Sequence, residues 1–217
     1  MADHDHEKRV AAEAAAELVQ DGSSVGLGTG STVAFLLPAL AARGLTLRCV
    51  ATSVATEVAA RALGLAVEPF DRLDRLDIAI DGADQIDPAG WLIKGGGGAH
   101  SREKVVVAAS DRFVVIASSD KVVEVLGPPV PLELLAYGTP ATLRSLGHAA
   151  LRHVPPSPDG GLIADYLGEF DDPAELAASL SATPGVVDHG LFGPELVTDV
   201  LIAHGDDVEH RTVTARR

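Results

Sequence analysis

The 217-residue sequence predicts an α/β fold, with a mainly parallel sheet flanked by helices and a smaller α+β unit attached. Three observations carry this. From Ser23 to Ala117 short apolar runs alternate with helical patterns, the rhythm of strand–helix units that build a parallel sheet. The runs are apolar almost throughout, as strands covered on both faces must be. Beyond Gly127-Pro128-Pro129 the rhythm changes to paired strand patterns interrupted by two helical ones.

Glu7 to Gln20 is rich in Ala, with Val10, Ala14 and Leu18 at helical spacing, and Asp21-Gly22 closes it. The preceding Asp3-His4-Asp5-His6 has metal-ligand residue types, but a frayed, solvated terminus is the expectation. Val25–Leu27 then leads into a helix at Thr32–Ala42, and Leu45–Val50 into one at Ala55–Leu63. Leu76–Ile80 precedes a glycine loop and a helix at Arg102–Ala109, followed by the strand Phe113–Ala117. After the proline turn come a strand at Val130–Leu135, a helix at Thr139–Leu146, and strands at Ala149–Val154 and Gly161–Leu167. A helix at Pro173–Leu180 and a strand at Val186-Val187 follow, and Leu196–Ala203 and Val208–Val213 are expected to rejoin the main sheet. The expected division is 1–128, completed by about 196–217, for the large domain, and 129–195 for the small one.

Composition narrows the function classes. Nearly half the residues are apolar, enough to bury a core. A formal charge of -14 argues against a nucleic-acid partner, because clustered Lys and Arg drive such binding. An anionic substrate must therefore meet local positive charge or backbone N–H groups. Every apolar run is cut well short of the roughly 18 residues a membrane span needs, and a basic-then-apolar leader is lacking, so a soluble cytoplasmic protein is expected. Cys49 is the single cysteine, which excludes an intrachain disulfide and a thiolate metal cluster and reads as a buried, inert thiol.

Three segments carry chemistry. Gly26-Leu27-Gly28-Thr29-Gly30-Ser31-Thr32 leaves a strand and enters a helix, so its N–H groups and hydroxyls form an anion cradle suited to phosphate; a plain strand-to-helix turn is the alternative. The dinucleotide and P-loop fingerprints are both absent. In Asp77 to Asp87 the acids Asp81 and Asp84 begin where an apolar strand ends, the place where ligands gather in open α/β sheets; turn and capping roles compete with catalysis. Lys94-Gly95-Gly96-Gly97-Gly98-Ala99-His100-Ser101-Arg102-Glu103-Lys104 is the most specific, since four successive glycines are costly to order unless a backbone must approach a ligand. The bland alternative is a flexible hairpin tip. Lys94 and Glu103 on either side supply a cation and a carboxylate, the pair that proton abstraction beside a carbonyl requires.

At these segments the chain closely resembles the ribose-5-phosphate isomerase A family, and the match extends through Thr52-Ser53, Thr56, Asp120-Lys121, Ala141-Thr142 to Leu146-Gly147, Pro184 to Val187 and Gly190-Leu191-Phe192. The resemblance implies a Rossmann-like large domain and an isomerase interconverting ribose 5-phosphate and ribulose 5-phosphate without metal or cofactor, as a homodimer or homotetramer. It implies Glu103 as the base, Asp81 and Asp84 as acids for ring opening and hydroxyl positioning, and Lys94 as the enediolate stabiliser. Thr29, Gly30, Ser31, Thr32, Gly82, Ala83, Gly95, Gly96, Gly97 and Lys121 are the implied substrate binders. The chain departs from the family at Gln85, where Glu is usual, at His100, where an apolar residue is common, and at Pro158-Asp159-Gly160-Gly161, which replaces an Asn-Gly turn. Two other classes compete: a sugar-phosphate sensor, for which the residues before the first strand are too few to hold a DNA-binding module, and an acyl-transfer or deaminase relative, which needs a different catalytic acid.

Overall fold

In the computed structural model, which describes residues 3–213, the chain divides into two compact units. The first comprises 3–83, 102–122 and 194–213, and the second 84–101 and 123–193. Residues 84–101, given to the large domain by the sequence division, thus fall in the second unit.

The elements run α1 (His4–Ala16), β1 (Ser24–Leu27), α2 (Ser31–Ala42), β2 (Arg48–Ala51), α3 (Val54–Ala62) and β3 (Ile78–Gly82). Next come β4 (Gln85–Ile86), β5 (Leu92–Ile93), α4 (His100–Ala108), β6 (Phe113–Ser118), β7 (Val130–Leu134) and α5 (Thr139–Leu146). The chain ends with β8 (Ala149–Leu151), β9 (Leu162–Tyr166), α6 (Pro173–Ala182), β10 (Val186–His189), β11 (Leu191–Phe192), β12 (Asp199–His204) and β13 (Asp207–Thr212).

The first unit is built on a six-stranded sheet of order β13-β12-β6-β3-β1-β2, parallel except for the β12–β13 hairpin. The last two strands do rejoin the main sheet. Alternate strand residues (Val25 and Leu27, Ile78 and Ile80, Val114 and Ile116, Leu201 and Ala203) share one core with Ala11, Ala12 and Ala15 of α1 and Leu36 and Leu40 of α2. Their neighbours point to the opposite face, where Val106 of α4 lies so close to Gly26 that a Cβ there would sit 2.4 Å from it. Both faces are covered, which explains the unbroken apolar runs. The second unit holds the sheet β10-β7-β9-β8, antiparallel throughout, with Leu176 and Leu180 of α6 packed on Val130, Leu132 and Leu134 of β7. It also holds the small sheet β11-β5-β4.

Several boundaries differ from expectation, each because a distant residue intervenes. Asp3 to His6 is not a frayed terminus: Asp3 caps α1, its carboxylate accepting the His6 N–H, and helix begins at His4. The same helix stops at Ala16 instead of Gln20, because Leu18 and Val19 tighten into i→i+3 bonds and the Arg43 guanidinium takes the Ala16 and Val19 carbonyls. Strand β2 starts at Arg48 and not Leu45, since the Thr46 N–H is held by Asp21 and its carbonyl by Gly22. Cys49 is fully buried, and burial pushes its thiol up to about 11, as an inert thiol requires.

Glu7 is a buried carboxylate of the first unit, only 3% exposed. Its Oε2 accepts the Ser119 N–H (3.0 Å) and hydroxyl (2.8 Å), and Oε1 accepts the Gly205 N–H (3.1 Å). Burial works to raise its pKa, but these bonds outweigh it and hold the carboxyl at about 2, against an ordinary 4.5. A depressed folded-state pKa gives stability that is complete above pH 4.5 and lost as pH falls toward 2. Glu7→Gln is therefore expected to cost about 1–3 kcal/mol at neutral pH, the range for hydrogen bonds to a charged group. It should also flatten the fall in Tm on acidification. Calorimetry from pH 7 to 3 checks this; a variant whose curve overlays the wild type's refutes it.

Candidate active site

In the first unit the loop between β1 and α2 closes around Asp81 at the end of β3. Asp81 is 2% exposed, and its Oδ1 accepts the N–H groups of Thr29 (3.0 Å) and Gly82 (2.7 Å). Gly28 has to be glycine, because a Cβ there would lie 2.0 Å from the Asp81 carboxyl carbon. The Thr29 hydroxyl turns inward, 2.8 Å from Thr52 Oγ1 and 3.4 Å from Thr56 Oγ1, and the Thr56 hydroxyl donates to the Gly28 carbonyl (2.9 Å). Thr29 therefore braces the loop, and the outward surface belongs to Gly30, Ser31 and Thr32.

Helix α2 begins on Gly30, whose φ of 125° suits only glycine and which supplies no side-chain cap. A Ser or Asp at that position would occupy the first-turn N–H groups; with Gly they face outward with the Ser31 hydroxyl, an arrangement suited to an anion. Thr32 stands beside Gly82, where a Cβ would lie 3.8 Å from its Oγ1. Ala83 follows, partly buried, as the last residue before the second unit. Glu103, 3% exposed, lies in the first turn of α4, one turn before Val106 and on the same helical face. Lys121 follows β6, one-third exposed, with Nζ 3.2 Å from Asp120.

In the second unit Asp84 donates its N–H to the Ile93 carbonyl and takes the Gly96 N–H on Oδ2 at 2.7 Å. Lys94 follows β5, 2% exposed, with its N–H on the Gly190 carbonyl (2.8 Å) and its ammonium 5.4 Å from the centre of the Phe192 ring. Gly190 admits this approach, since a Cβ there would lie 2.1 Å from the Lys94 carbonyl oxygen. Gly95 has φ of 102° and packs on the buried His100, which a Cβ would meet at 2.7 Å; Gly96 and Gly97 are exposed. The run of glycines is thus an ordered loop, not a loose hairpin tip.

Two of the departures from the family pattern have local explanations. Gln85 both donates to the Gly127 carbonyl and accepts the Gly127 N–H, each at 2.9 Å, a pairing a glutamate cannot make. In the turn before β9, the Ser157 N–H donates to the Gly161 carbonyl (2.8 Å), and Gly161 sits where a Cβ would strike the Glu133 carboxylate. His4 Nδ1, a Glu7 oxygen and an Asp120 oxygen lie within 4.8 Å of one another. Glu7 Oε2 in that group already accepts two hydrogen bonds from Ser119, and Asp120 is engaged by Ser118 and Lys121, so the cluster is a hydrogen-bonded junction more than an open ligand set.

Sequence reading did not single out Arg152. It lies just after β8 and donates from Nη1 to the carbonyls of Gly95 (3.1 Å) and Gly96 (2.9 Å). The only signal was an arginine at the end of a strand.

Comparison with known proteins bears on the family of the chain. The family model described as ribose 5-phosphate isomerase A (phosphoriboisomerase A) matches residues 48–207. A ribose-5-phosphate isomerase A of Caulobacter vibrioides (strain NA1000 / CB15N) is 46% identical, covering 94% of this chain and 96% of its own length. Among solved structures, the ribose 5 phosphate isomerase A of Neisseria gonorrhoeae superposes with a TM-score of 0.93 at 31% identity, over 98% of this chain and 99% of that one. A D-ribose-5-phosphate isomerase in complex with phospho-erythronic acid superposes with a TM-score of 0.91 at 29% identity, over 97% of this chain and 100% of that one.

Proposed function

Since the chain belongs to the ribose-5-phosphate isomerase A family, we propose that it interconverts D-ribose 5-phosphate and D-ribulose 5-phosphate by proton transfer through an enediolate, with the residues described above in the roles that follow. The observation that carries the reading is that one chain holds a buried carboxylate, Glu103, a buried lysine, Lys94, and an uncapped glycine-led helix start suited to phosphate. No observation favours the sensor alternative, which has no use for a buried acid and base.

Asp81 and Asp84 assist opening of the sugar ring and hold its hydroxyls. Glu103 then removes the C2 proton of the open-chain aldehyde and delivers it to C1. In the net reaction the C2–H and O2–H bonds break and the C1–H and O1–H bonds form, so the carbonyl moves from C1 to C2 with no electron leaving the substrate. Lys94, with the Gly95 to Gly97 N–H groups, stabilises the negative oxygen of the intermediate. The N–H groups of the Gly30–Thr32 turn, the Ser31 and Thr32 hydroxyls and Lys121 hold the phosphate. Gly82 and Ala83 line the substrate with backbone. The phospho-erythronic acid bound to a structural relative, a phosphorylated acid of sugar type, supports this combination of phosphate and oxyanion sites.

The enzyme works without metal or cofactor in this reading, because Lys94 supplies the positive charge a Lewis acid would otherwise provide. We place it in the cytoplasm as a homodimer. Support for the location is the single buried cysteine together with the absence, among the described residues, of a helix long and apolar enough to cross a membrane.

A coupled assay with ribose 5-phosphate, run beside allose 6-phosphate and repeated in chelator, tests the whole reading. Turnover of ribose 5-phosphate that survives chelation is expected; activity that vanishes and returns only with a divalent ion defeats the metal-free mechanism. Ser31→Ala, Thr32→Ala and Lys121→Ala are each expected to raise KM with little loss of kcat, most steeply at high salt for Ser31 and Thr32, where the screened Lys121 charge helps least. Free ribose turned over as well as its phosphate refutes the cradle.

A further inference from the structure

We propose that Arg152 is a positioning residue that fixes the direction of the Gly96 and Gly97 N–H groups by clamping two successive carbonyls of the glycine loop. The fork of the guanidinium is set by Asp165 of β9: Nε donates to Oδ2 at 2.7 Å and Nη2 to Oδ1 at 2.5 Å, with both side chains less than one-fifth exposed. That bidentate pairing leaves Nη1 aimed at the loop, where it donates to the Gly95 and Gly96 carbonyls at 3.1 and 2.9 Å.

The consequence follows from peptide geometry. In a planar trans peptide the N–H points away from the carbonyl of the preceding residue. Holding the Gly95 carbonyl therefore aims the Gly96 N–H, which donates to Asp84 Oδ2 at 2.7 Å, and holding the Gly96 carbonyl aims the Gly97 N–H in the direction opposite to the clamp. Glycine is the residue whose backbone is most expensive to order, so the run keeps one conformation only where it is held: the Gly98 N–H turns back onto the Gly95 carbonyl (2.9 Å), and the exposed Gly96 is held by Asp84 and Arg152 from outside the run. The held backbone also leaves no room for a side chain: a Cβ on Gly96 would lie 2.9 Å from Asp84 Oδ1. One cation thus sets both the orientation of the Asp84 carboxylate and the presentation of an oxyanion donor. Lysine cannot substitute, because its single ammonium lacks the planar fork that pairs with Asp165 while reaching the loop.

The catalytic part of this inference rests on the isomerase reading; the clamp itself does not. The test compares Arg152→Lys, Arg152→Met and the double variant Arg152→Met/Asp165→Asn, which removes the carboxylate stranded by the single change and keeps the fold measurable. For ribose 5-phosphate, kcat is expected to fall roughly 10- to 100-fold in all three, the scale of loss that misplaced reacting groups cause, with KM changed far less. In the double variant Tm should return toward the wild type while kcat does not. Amide exchange followed by NMR is expected to quicken at least about tenfold at Gly96, whose N–H loses its fixed acceptor. If kcat recovers together with Tm, Arg152 is merely structural. Unchanged exchange at Gly96 overturns the clamp whatever the kinetics show. A wild type that exchanges as expected but does not turn over ribose 5-phosphate defeats the isomerase reading instead and leaves the clamp standing.

Discussion

Glu103→Gln is expected to lower kcat for ribose 5-phosphate by roughly 10²- to 10⁴-fold with KM little changed, the usual worth of general acid–base catalysis. Glutamine keeps the shape and the hydrogen-bonding reach of the side chain but cannot accept a proton from carbon. In the proposed mechanism one carboxylate can serve both half-reactions, because C1 and C2 are adjacent and the enediolate between them is planar, so removal and return are expected on the same face. Substrate deuterated at C2 should show a primary isotope effect where proton transfer limits the rate, with part of the label carried to C1 and part lost to solvent. A near-normal kcat in the variant transfers the role of base to Asp81 or Asp84.

Lys94→Met is expected to cost roughly 10²- to 10³-fold in kcat, the loss typical of removing one group that stabilises a developing oxyanion. Lys94 is 2% exposed and its ammonium stands 5.4 Å from the centre of the Phe192 ring, so its charge acts in a region from which water is largely excluded. Methionine fills a similar volume, which keeps packing and substrate affinity close to those of the wild type. The measurement that decides is the kcat against KM split. A change confined to KM means that Lys94 binds the ground state and does not stabilise the enediolate.

The acids and glycines of the candidate site were legible because each is a local signal: a polar residue at the end of an apolar strand, or a glycine in the loop that follows a strand. Asp81 and Gly28 illustrate both, and their contact follows from adjacent parallel strands β1 and β3 delivering their carboxyl ends side by side. The three two-residue strands β4, β5 and β11 were invisible, being shorter than any period that alternation can reveal. The sequence marks helix α1 but not its ends, because the Asp3 cap reads as loose chain and the carbonyls of Ala16 and Val19 are taken by Arg43, just past the end of α2.

By itself the sequence determined the alternation of elements, the strand pattern of the last two runs, the apolar setting of Cys49 and the residue types of the Gly26–Thr32 loop, because each depends on neighbours within a few positions along the chain. Tertiary structure alone decided that Thr29 spends its hydroxyl on Thr52, that Gln85 pairs with the backbone of Gly127, and that Arg152 holds the glycine loop. Those partners lie 23, 42 and 57 residues away along the chain. An arginine or threonine carries no mark of which distant carbonyl or hydroxyl it will meet; only the closing of the sheets brings donor and acceptor within hydrogen-bonding distance, and the direction of the bond is then fixed by the strands that carry them.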